Sequence, residues 1–418
     1  MLKSKIKREN LEFIFISIYI TSKLLWDTIP YVFELIFWAL IFLKAINYIY
    51  PFIKRLSLNK LLTFMSVFCI YILLNGFLQD DSSVFARSIY EYIAYMLVML
   101  YFIQAREKID LIYCLKRIVV WGCVISVLTW YEYITKQYIL TDLSLFGTIM
   151  YVGNNGFRAA VFSRSFLSHG MILGVFSLMS LYLWYVFNKK KYLVLSAFAY
   201  VSILATGSRG PFVACFVAIA FFYFADAFII RNKRSQKDKF IIACLVCILI
   251  LIVVLNIDVD PSLSSISYFI YRIQNIFNWT GDAGNTGRIL IWNNSINNWF
   301  KKSPIFGIGP SKTGSWGESS LGVTESSVLK KLCELGVVGT ILFYALIYFV
   351  VKNSIKLVNV SYRKEAVFWL SLFIAIFIND FAVQSTEEIM VAFWFWCSLG
   401  GIYYLKRKDF IERGIQNI

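Results

Sequence analysis

The chain has 418 residues and is both apolar and basic: 59% of its residues are hydrophobic, its mean hydropathy is +0.66 and its formal net charge is +16. A composition this apolar excludes a soluble domain of comparable length. The basic residues gather between apolar runs, so the charge indicates membrane topology and contact with anionic lipid headgroups, and not a nucleic-acid-binding surface.

Apolar runs long enough to cross a bilayer recur along the whole chain. A span needs about 20 mainly apolar residues, and inside lipid its backbone must bond internally as a helix. Twelve candidate spans lie at 11–29, 31–50, 61–78, 88–105, 118–134, 162–187, 192–206, 211–230, 240–256, 327–351, 366–383 and 387–405. We therefore predict an all-α polytopic integral membrane protein.

The loops between these spans predict an orientation. Lysine and arginine concentrate in every second loop, and such loops face the cytoplasm. Both termini are then cytoplasmic, and the segment 257–326 is one large extracytoplasmic (periplasmic) loop that contains short helices. The predicted organisation is residues 1–256 with spans 1–9, the loop 257–326, and residues 327–418 with spans 10–12.

The cysteines, the single histidine and the prolines limit which kinds of site and mechanism the chain can have. The eight cysteines lie in or beside spans or in an inner loop, so the long loop has no disulfide framework. His169 is the single histidine, so no site with several histidine ligands can hold a metal. No proline falls inside a predicted span, which argues against the proline-broken helices of many transporters.

Two arginines flank the outer start of the sixth predicted span. Arg158 and Arg164 lie in F-R-A-A-V-F-S-R-S-F-L-S-H-G, and Ser165 and His169 share a helical face there. An ionisable group in an apolar run is usually functional or paired. His169 is either a substrate-binding residue or a hydrogen-bonded histidine of the helix.

Arg209 occurs in T-G-S-R-G-P, just ahead of the eighth span. Pro211 suits the first helical position, because the missing N–H is not needed there. A helix N-terminus offers free N–H groups to an anion, which favours phosphate binding. The alternative is an arginine that reaches lipid headgroups.

The long loop repeats this arrangement at Arg288. Asn285 or Thr286 is a plausible N-cap, which places Arg288 in the first turn of a helix that ends before Ser303-Pro304. Arg288, Trp292, Ile296 and Trp299 recur at helical spacing on one face. This face either binds substrate or anchors the loop at the membrane interface. In the first case Trp292 and Trp299, together with Trp316 further along the loop, would stack on sugar rings.

Glu325 is the candidate general base. With Thr324 as cap, Glu325 falls in the first turn of the tenth span at the outer face. The alternative is that it only complements the helix dipole.

The order of these motifs resembles the O-antigen ligase/polymerase superfamily, which includes the Wzy-type polysaccharide polymerases. The resemblance rests on T-G-S-R-G before a span, G-R-x-x-x-W, S-P-I-F-G-I-G-P, T-E-S and L-x-x-L-G-x-x-G, over about residues 155–350. It implies a metal-independent membrane glycosyltransferase of the GT-C kind without a cofactor, in the bacterial cytoplasmic (inner) membrane. Its donor and acceptor would be undecaprenyl-diphosphate-linked glycans of O antigen or capsule.

The resemblance also implies roles for residues. Arg209 and Arg288 would hold the lipid diphosphate, and Glu325 would deprotonate or orient the acceptor hydroxyl. Arg158, Arg164, His169, Trp292 and Asn285 would bind substrate, and a chain-length regulator is a candidate protein partner. Ligases carry a histidine, often in H-N, where this chain has Glu325-Ser326, which favours a polymerase. The alternatives are a ligase of this superfamily and, from another class, a polysaccharide flippase or exporter.

Overall fold

A computed structural model describes most of the chain. It covers residues 8–22, 32–54, 60–78, 82–139, 157–230 without 164, 283–313, 324–352, 354 and 362–412, with isolated positions at 260, 267, 270, 271 and 274. Its regular elements within these ranges are all helices, so the predicted fold class is confirmed at that level.

The long helices are α1 (Arg8–Thr21), α2 (Val32–Lys54), α3 (Lys60–Phe77), α4 (Ser82–Ser88), α5 (Tyr95–Arg106), α6 (Leu111–Thr135), α7 (Phe166–Phe187), α8 (Lys190–Ala205), α9 (Arg209–Ala225), α10 (Ala283–Lys302), α11 (Ser327–Val351), α12 (Arg363–Ala382) and α13 (Ile389–Glu412). A π-helical turn, Ile89–Ala94, joins α4 to α5, and a second, Asp226–Ile230, extends α9. A 3₁₀ turn, Ser385–Glu387, precedes α13.

Eight helices of the described part are long and apolar enough to cross a membrane. They are Lys60–Phe77, Val84–Arg106, Leu111–Thr135, Phe166–Phe187, Arg209–Phe228, Ser327–Val351, Arg363–Ala382 and Ile389–Asp409. Each overlaps a predicted span. Two other predicted spans correspond to the shorter helices α1 and α8, and α2 contributes the apolar stretch Leu35–Pro51. The predicted span 240–256 lies outside the described residues.

The chain divides into two compact units, and the first contains residues 1–30, 111–286 and 360–379. Helix α7 is apolar all round and buried over most of its length, and it packs against α6, α8 and α9. Small residues allow this approach: a Cβ on Gly122 would meet the ring of Phe176, and a Cβ on Gly174 would meet Cys215.

The second unit contains residues 31–110, 287–359 and 380–418. Its centre is α13, whose membrane-spanning part is buried within the protein, and which packs against α5 and α11. Helix α2 also packs against α5, and α3 packs against α11. This unit holds Arg288 and Glu325.

Candidate functional site

Arg288 and Glu325 form an ion pair in the second unit. Arg288 Nε donates to Glu325 Oε2 at 3.1 Å, and the two side chains are 26% and 41% exposed. The pair joins two residues that the motif order selected separately, and its exposure leaves it open to a ligand.

Glu325 does not lie in the first turn of a helix, so that prediction was wrong. Helix α11 begins at Ser327, and its N-cap is Ser326, whose side chain accepts from the N–H of Leu329. Thr324, the predicted cap, instead donates to the Ser326 carbonyl at 3.2 Å. Glu325 has a φ of 47°, so a sharp backbone turn, rather than the helix dipole, sets its position.

Helix α10 begins earlier than predicted and ends where predicted. It starts at Ala283, so Asn285 and Thr286 lie inside it and Arg288 falls in its second turn, which corrects both predicted caps. The side chain of Asn285 lies outside the described residues. The helix ends at Lys302, because the residue before Pro304 avoids the α conformation.

One face of α10 packs against the protein. Ser295 is buried, and its carbonyl contacts the Cys333 thiol at 3.4 Å. Trp292 and Trp299 are half-buried, but Ile296 is exposed and does not share this packing. Trp299 Nε1 donates to the carbonyl of Pro304 at 3.0 Å, which supports loop anchoring for this residue. Trp316 lies outside the described residues.

Arg209 is the first residue of α9, in the first unit. The helix is preceded by Ser208 as N-cap, so Pro211 occupies the third helical position and not the predicted first. Arg209 is 8% exposed, and the Ser208 hydroxyl donates to the Phe166 carbonyl at 3.1 Å. The T-G-S-R turn is therefore packed against the start of α7.

Arg158 binds the backbone of this turn. Its Nε donates to the Thr206 carbonyl at 3.0 Å, and its Nη2 donates to the Gly207 carbonyl at 3.0 Å. Nη2 also lies 3.3 Å from Ser208 Oγ, and the guanidinium stacks 3.2 Å from the centre of the Phe166 ring. The buried Arg158 therefore holds the turn that carries Arg209.

His169 is buried in the first unit. Its Nε2 lies 2.9 Å from the Thr129 hydroxyl, which donates to the Ile125 carbonyl at 2.7 Å. The hydroxyl is thus the acceptor from His169, and the imidazole proton is on Nε2. This contact supports the hydrogen-bonded helix histidine, and substrate binding by His169 remains a prediction. Arg164 lies outside the described residues.

The sequence reasoning missed Glu132, a buried carboxylate in α6. It accepts from the backbone N–H groups of Ile139 at 2.9 Å, Ala160 at 3.0 Å and Val161 at 2.9 Å. Because Ala160 and Val161 follow Arg158 directly, Glu132 fixes the segment from which Arg158 reaches the turn. A glutamate in an apolar span was the signal that could have found it.

Helix α11 is broken at Gly336, whose φ is 62° and ψ is −171°. The break leaves backbone groups of α11 without helical partners. Residues 304–309, which we call the docked segment, supply the missing partners. Ile308 and Gly309 donate to the carbonyls of Cys333 and Glu334, at 2.9 and 3.0 Å. Val337 and Val338 donate to the carbonyls of Pro304 and Ile305, at 3.1 and 3.2 Å.

Two glycines permit this close approach. A Cβ on Gly307 would lie 2.2 Å from the Glu334 carbonyl oxygen, and one on Gly336 would lie 2.3 Å from that of Ile305. The motifs S-P-I-F-G-I-G-P and L-x-x-L-G-x-x-G are therefore two halves of one contact. Irregular backbone in a membrane-spanning helix is tolerated only where such partners exist. Pro51 lies inside α2, near its end, and a glycine marks the break in α11.

A buried cluster of charges lies beside this contact. Lys330 Nζ is 2.7 Å from Glu387 Oε1, 3.0 Å from Glu91 Oε2 and 3.8 Å from Glu334 Oε1. We call these four residues the acidic cluster. Sequence reasoning missed all of them, because Lys330 and Glu91 are 239 positions apart and no local pattern connects them.

Glu334 links the acidic cluster to the docked segment. Its carboxylate accepts from the N–H groups of Ser311 and Thr313 and from the Thr313 hydroxyl, each at 2.8 Å, and from the Tyr92 hydroxyl at 2.5 Å. These donors provide hydrogen-bond partners for a carboxylate that is fully buried. Glu334 therefore fixes residues 311–313, which follow α10 and the docked segment.

Comparison with known families agrees with this geometry. Residues 194–344 match a family model described as O-antigen ligase, which confirms the resemblance predicted from the ordered motifs. The match includes Arg209, Arg288 and Glu325 as well as the docked motifs. The apolar helices are those of a multi-pass membrane protein, and residues 194–344 are similar to the O-antigen ligase family. No curated protein matches the chain.

Proposed function

We propose that the protein polymerises undecaprenyl-diphosphate-linked oligosaccharide repeat units by glycosyl transfer. The reaction takes place at the outer face of the bacterial inner membrane, with both termini in the cytoplasm and a GT-C-like arrangement of spans. The observation that carries the proposal is the exposed Arg288–Glu325 pair, which lies inside the family match and in the segment predicted to be extracytoplasmic.

Arg288 is suited to bind the leaving diphosphate. Glu325 contacts the Nε of Arg288, and no described residue is bonded to the two terminal nitrogens of Arg288. These two nitrogens are therefore available to a bidentate acceptor such as phosphate. A preorganised guanidinium stabilises the charge that develops on the diphosphate, which is the role that a metal ion has in other transferases.

The contact with Arg288 supports a positioning role for Glu325. A carboxylate on Nε fixes the plane of the guanidinium, so Arg288 presents its two terminal nitrogens in one direction. The role of Glu325 as general base remains a prediction. The role of Arg209, which the resemblance assigns to the same diphosphate, is also a prediction.

A ligase of the same superfamily is the second candidate, because the matching family model is described as O-antigen ligase. Glutamate replaces the ligase histidine at Glu325-Ser326, and this difference supports the polymerase. In a polymerase the acceptor is a second lipid-linked repeat unit; in a ligase it is another molecule.

The test is in vitro assembly with purified protein and a lipid-linked repeat unit as the only substrate. A polymerase gives a ladder of products, whereas a ligase forms product only when a second acceptor is added. Transport of the substrate across a vesicle membrane without a new glycosidic bond would support a flippase and refute both.

The matched variants are Arg288→Ala and Lys301→Ala, both on α10. Arg288→Ala removes a charge-assisted contact to the leaving group, so the rate should fall about 100-fold or more. Lys301 is exposed in the last turn, and its variant should keep the wild-type ladder. A normal ladder from Arg288→Ala would remove this residue from the mechanism.

A further inference from the structure

Three residues of the acidic cluster line a cavity that the proposed function does not use. The cavity has a volume of about 40 Å³ and lies within the second unit. Its polar walls are formed by Glu91, Ser327, Lys330, Lys331, Thr386 and Glu387. A cavity of this size is large enough to hold a water molecule or a hydroxyl group.

The cluster carries more acids than bases. Glu91, Glu334 and Glu387 face Lys330, and the only other direct partner among the described ion pairs is Arg87, which contacts Glu91 at 2.7 Å. Since the carboxylates outnumber the cations, one of the three can hold a proton without leaving a cation unpaired.

Glu387 has the fewest donors of the three carboxylates. Glu334 accepts four hydrogen bonds, and Glu91 accepts from Arg87, Lys330 and Ser311. For Glu387, the described contact is the one to Lys330. Burial raises the pKa of Glu387 to about 7, against the opposing effect of Lys330, so this carboxylate exchanges a proton near neutral pH.

The turn that carries Glu387 is bonded to the segment that carries Glu325. Gln384 donates to the Thr324 hydroxyl, and the Ser327 and Thr386 hydroxyls are 3.4 Å apart. Asp380 in turn accepts from the Ser385 and Thr386 hydroxyls, both at 2.6 Å. Ser327, which lines the cavity, is two residues after Glu325 in the chain.

We propose that Glu387 is the proton acceptor of the glycosyl transfer, at the mouth of this cavity. The inference rests on the proposed function. The acceptor O–H bond breaks and its proton passes to the Glu387 carboxylate, while the oxygen forms a bond to the anomeric carbon. The bond from that carbon to the diphosphate breaks, and the electron pair leaves with the lipid diphosphate. Glu387 then releases the proton to solvent.

The proposal predicts that the rate of glycosyl transfer depends on pH. The reaction requires the ionised carboxylate, so kcat/KM should fall as pH decreases through about 7. The ionisable groups that face Glu387 from the packed elements are Glu91, Tyr92 and Tyr95 on one side and Lys330, Lys331 and Glu334 of α11 on the other. The acid limb of the pH profile is the range in which kcat/KM falls as pH decreases. Changing one of these facing groups should move the acid limb in the direction set by the charge of that group.

The experiment measures ladder formation from pH 5 to 9 with purified full-length variants. Glu387→Gln should lower the rate by roughly 100- to 10,000-fold and abolish the acid limb. Glu388→Gln, which changes the neighbouring carboxylate, should keep both the rate and the limb. A Glu387→Gln variant with the wild-type rate and limb would overturn the proposal.

Two charge variants keep the proposal falsifiable if Glu387→Gln fails to fold. Lys330→Met removes a cation that lowers the pKa of Glu387, so the acid limb should move to higher pH. Glu91→Gln removes an anion that raises it, so the limb should move to lower pH. A general loss of structure would lower the rate of both variants but would not move their acid limbs in opposite directions. A limb that stays in place in both variants also overturns the proposal.

The two proposals fail in different ways. If the wild-type protein gives no ladder and no ligation product, the proposed function is wrong. If it gives product while the acid limb is indifferent to the cluster, only the role of Glu387 is wrong.

Discussion

At the scale of single residues, the arginines of this protein divide by what they contact. Arg288 bonds a carboxylate through Nε and is partly exposed, whereas Arg158 is buried and bonds backbone carbonyls. Arg288 keeps its terminal nitrogens available for a ligand, whereas Arg158 uses its guanidinium nitrogens to hold the Thr206–Ser208 turn. Sequence analysis assigned both arginines to the substrate, because residue type and position cannot show which acceptors lie nearby.

Glu325→Gln tests the positioning role of this carboxylate. A hydrogen bond to a charged group contributes about 1.5–3 kcal/mol, so loss of the charge should raise the KM for the lipid-linked donor by roughly 10-fold or more. The acid limb of the pH profile should remain, because Glu387 is unchanged. A variant with unchanged KM, a rate reduced by roughly 100-fold or more and no acid limb would restore Glu325 as the base.

Arg158→Lys tests the clamp on the Thr206–Ser208 turn. An ammonium cannot reproduce the planar fork that bonds two carbonyls, so buried acceptors lose partners. We expect a loss of about 2–4 kcal/mol in unfolding free energy, measured by denaturation of the purified protein in detergent. Arg117→Lys, at an exposed position of α6, should change stability by less than about 0.5 kcal/mol. Equal stability of the two variants would contradict the clamp.

At the scale of elements, the break in α11 organises the second unit. Its freed backbone groups bind residues 304–309, and Tyr71 of α3 donates to the Leu335 carbonyl at 2.5 Å and the Phe306 carbonyl at 3.0 Å. Three separate parts of the chain thus meet at one glycine. The contact explains why S-P-I-F-G-I-G-P and L-x-x-L-G-x-x-G occur together.

Gly336→Ala tests this contact. The added Cβ would lie 2.3 Å from the Ile305 carbonyl oxygen, and the positive φ is strained for alanine. Strain alone costs about 1–3 kcal/mol, and the overlap adds to it, so the variant should be strongly destabilised in thermal unfolding. In the control Gly287→Ala, nothing lies within 4 Å of the new Cβ, and helix propensity predicts a gain of up to about 1 kcal/mol. A stable Gly336→Ala protein would show that the docked segment is not tightly held.

Local rules predicted the elements better than the contacts between them. Hydrophobic runs located the membrane-spanning helices, and Ser303-Pro304 predicted the end of α10. The start of α11 was misplaced because Thr324 and Ser326 are both good caps, and only the turn at Glu325 decides between them. The acidic cluster joins residues from three segments that are far apart in the sequence, so no periodicity could reveal it.

At the scale of the whole molecule, the distribution of lysine and arginine predicts the orientation in the membrane. Lys191, in the first turn of α8, should face the cytoplasm, and Lys301, at the end of α10, should face outward; both are exposed. In intact cells, an impermeant maleimide should label Lys301→Cys above the background of the parent chain. Lys191→Cys should be labelled only after permeabilisation. The reverse pattern would invert the topology and place Arg288 on the wrong side for the proposed substrate.

The docked segment also has a consequence for biogenesis. The ribosome releases residues 304–309 and Tyr71 before α11, so the partners of the broken backbone already exist when this helix leaves the translocon. Lys330 likewise meets Glu91 from an earlier span, but its second partner, Glu387, is synthesised later. A nascent chain that stops short of residue 387 therefore carries Lys330 with only part of its counter-charge. We therefore expect the burial of this lysine to be a late step of membrane insertion, after the turn before α13 has been synthesised.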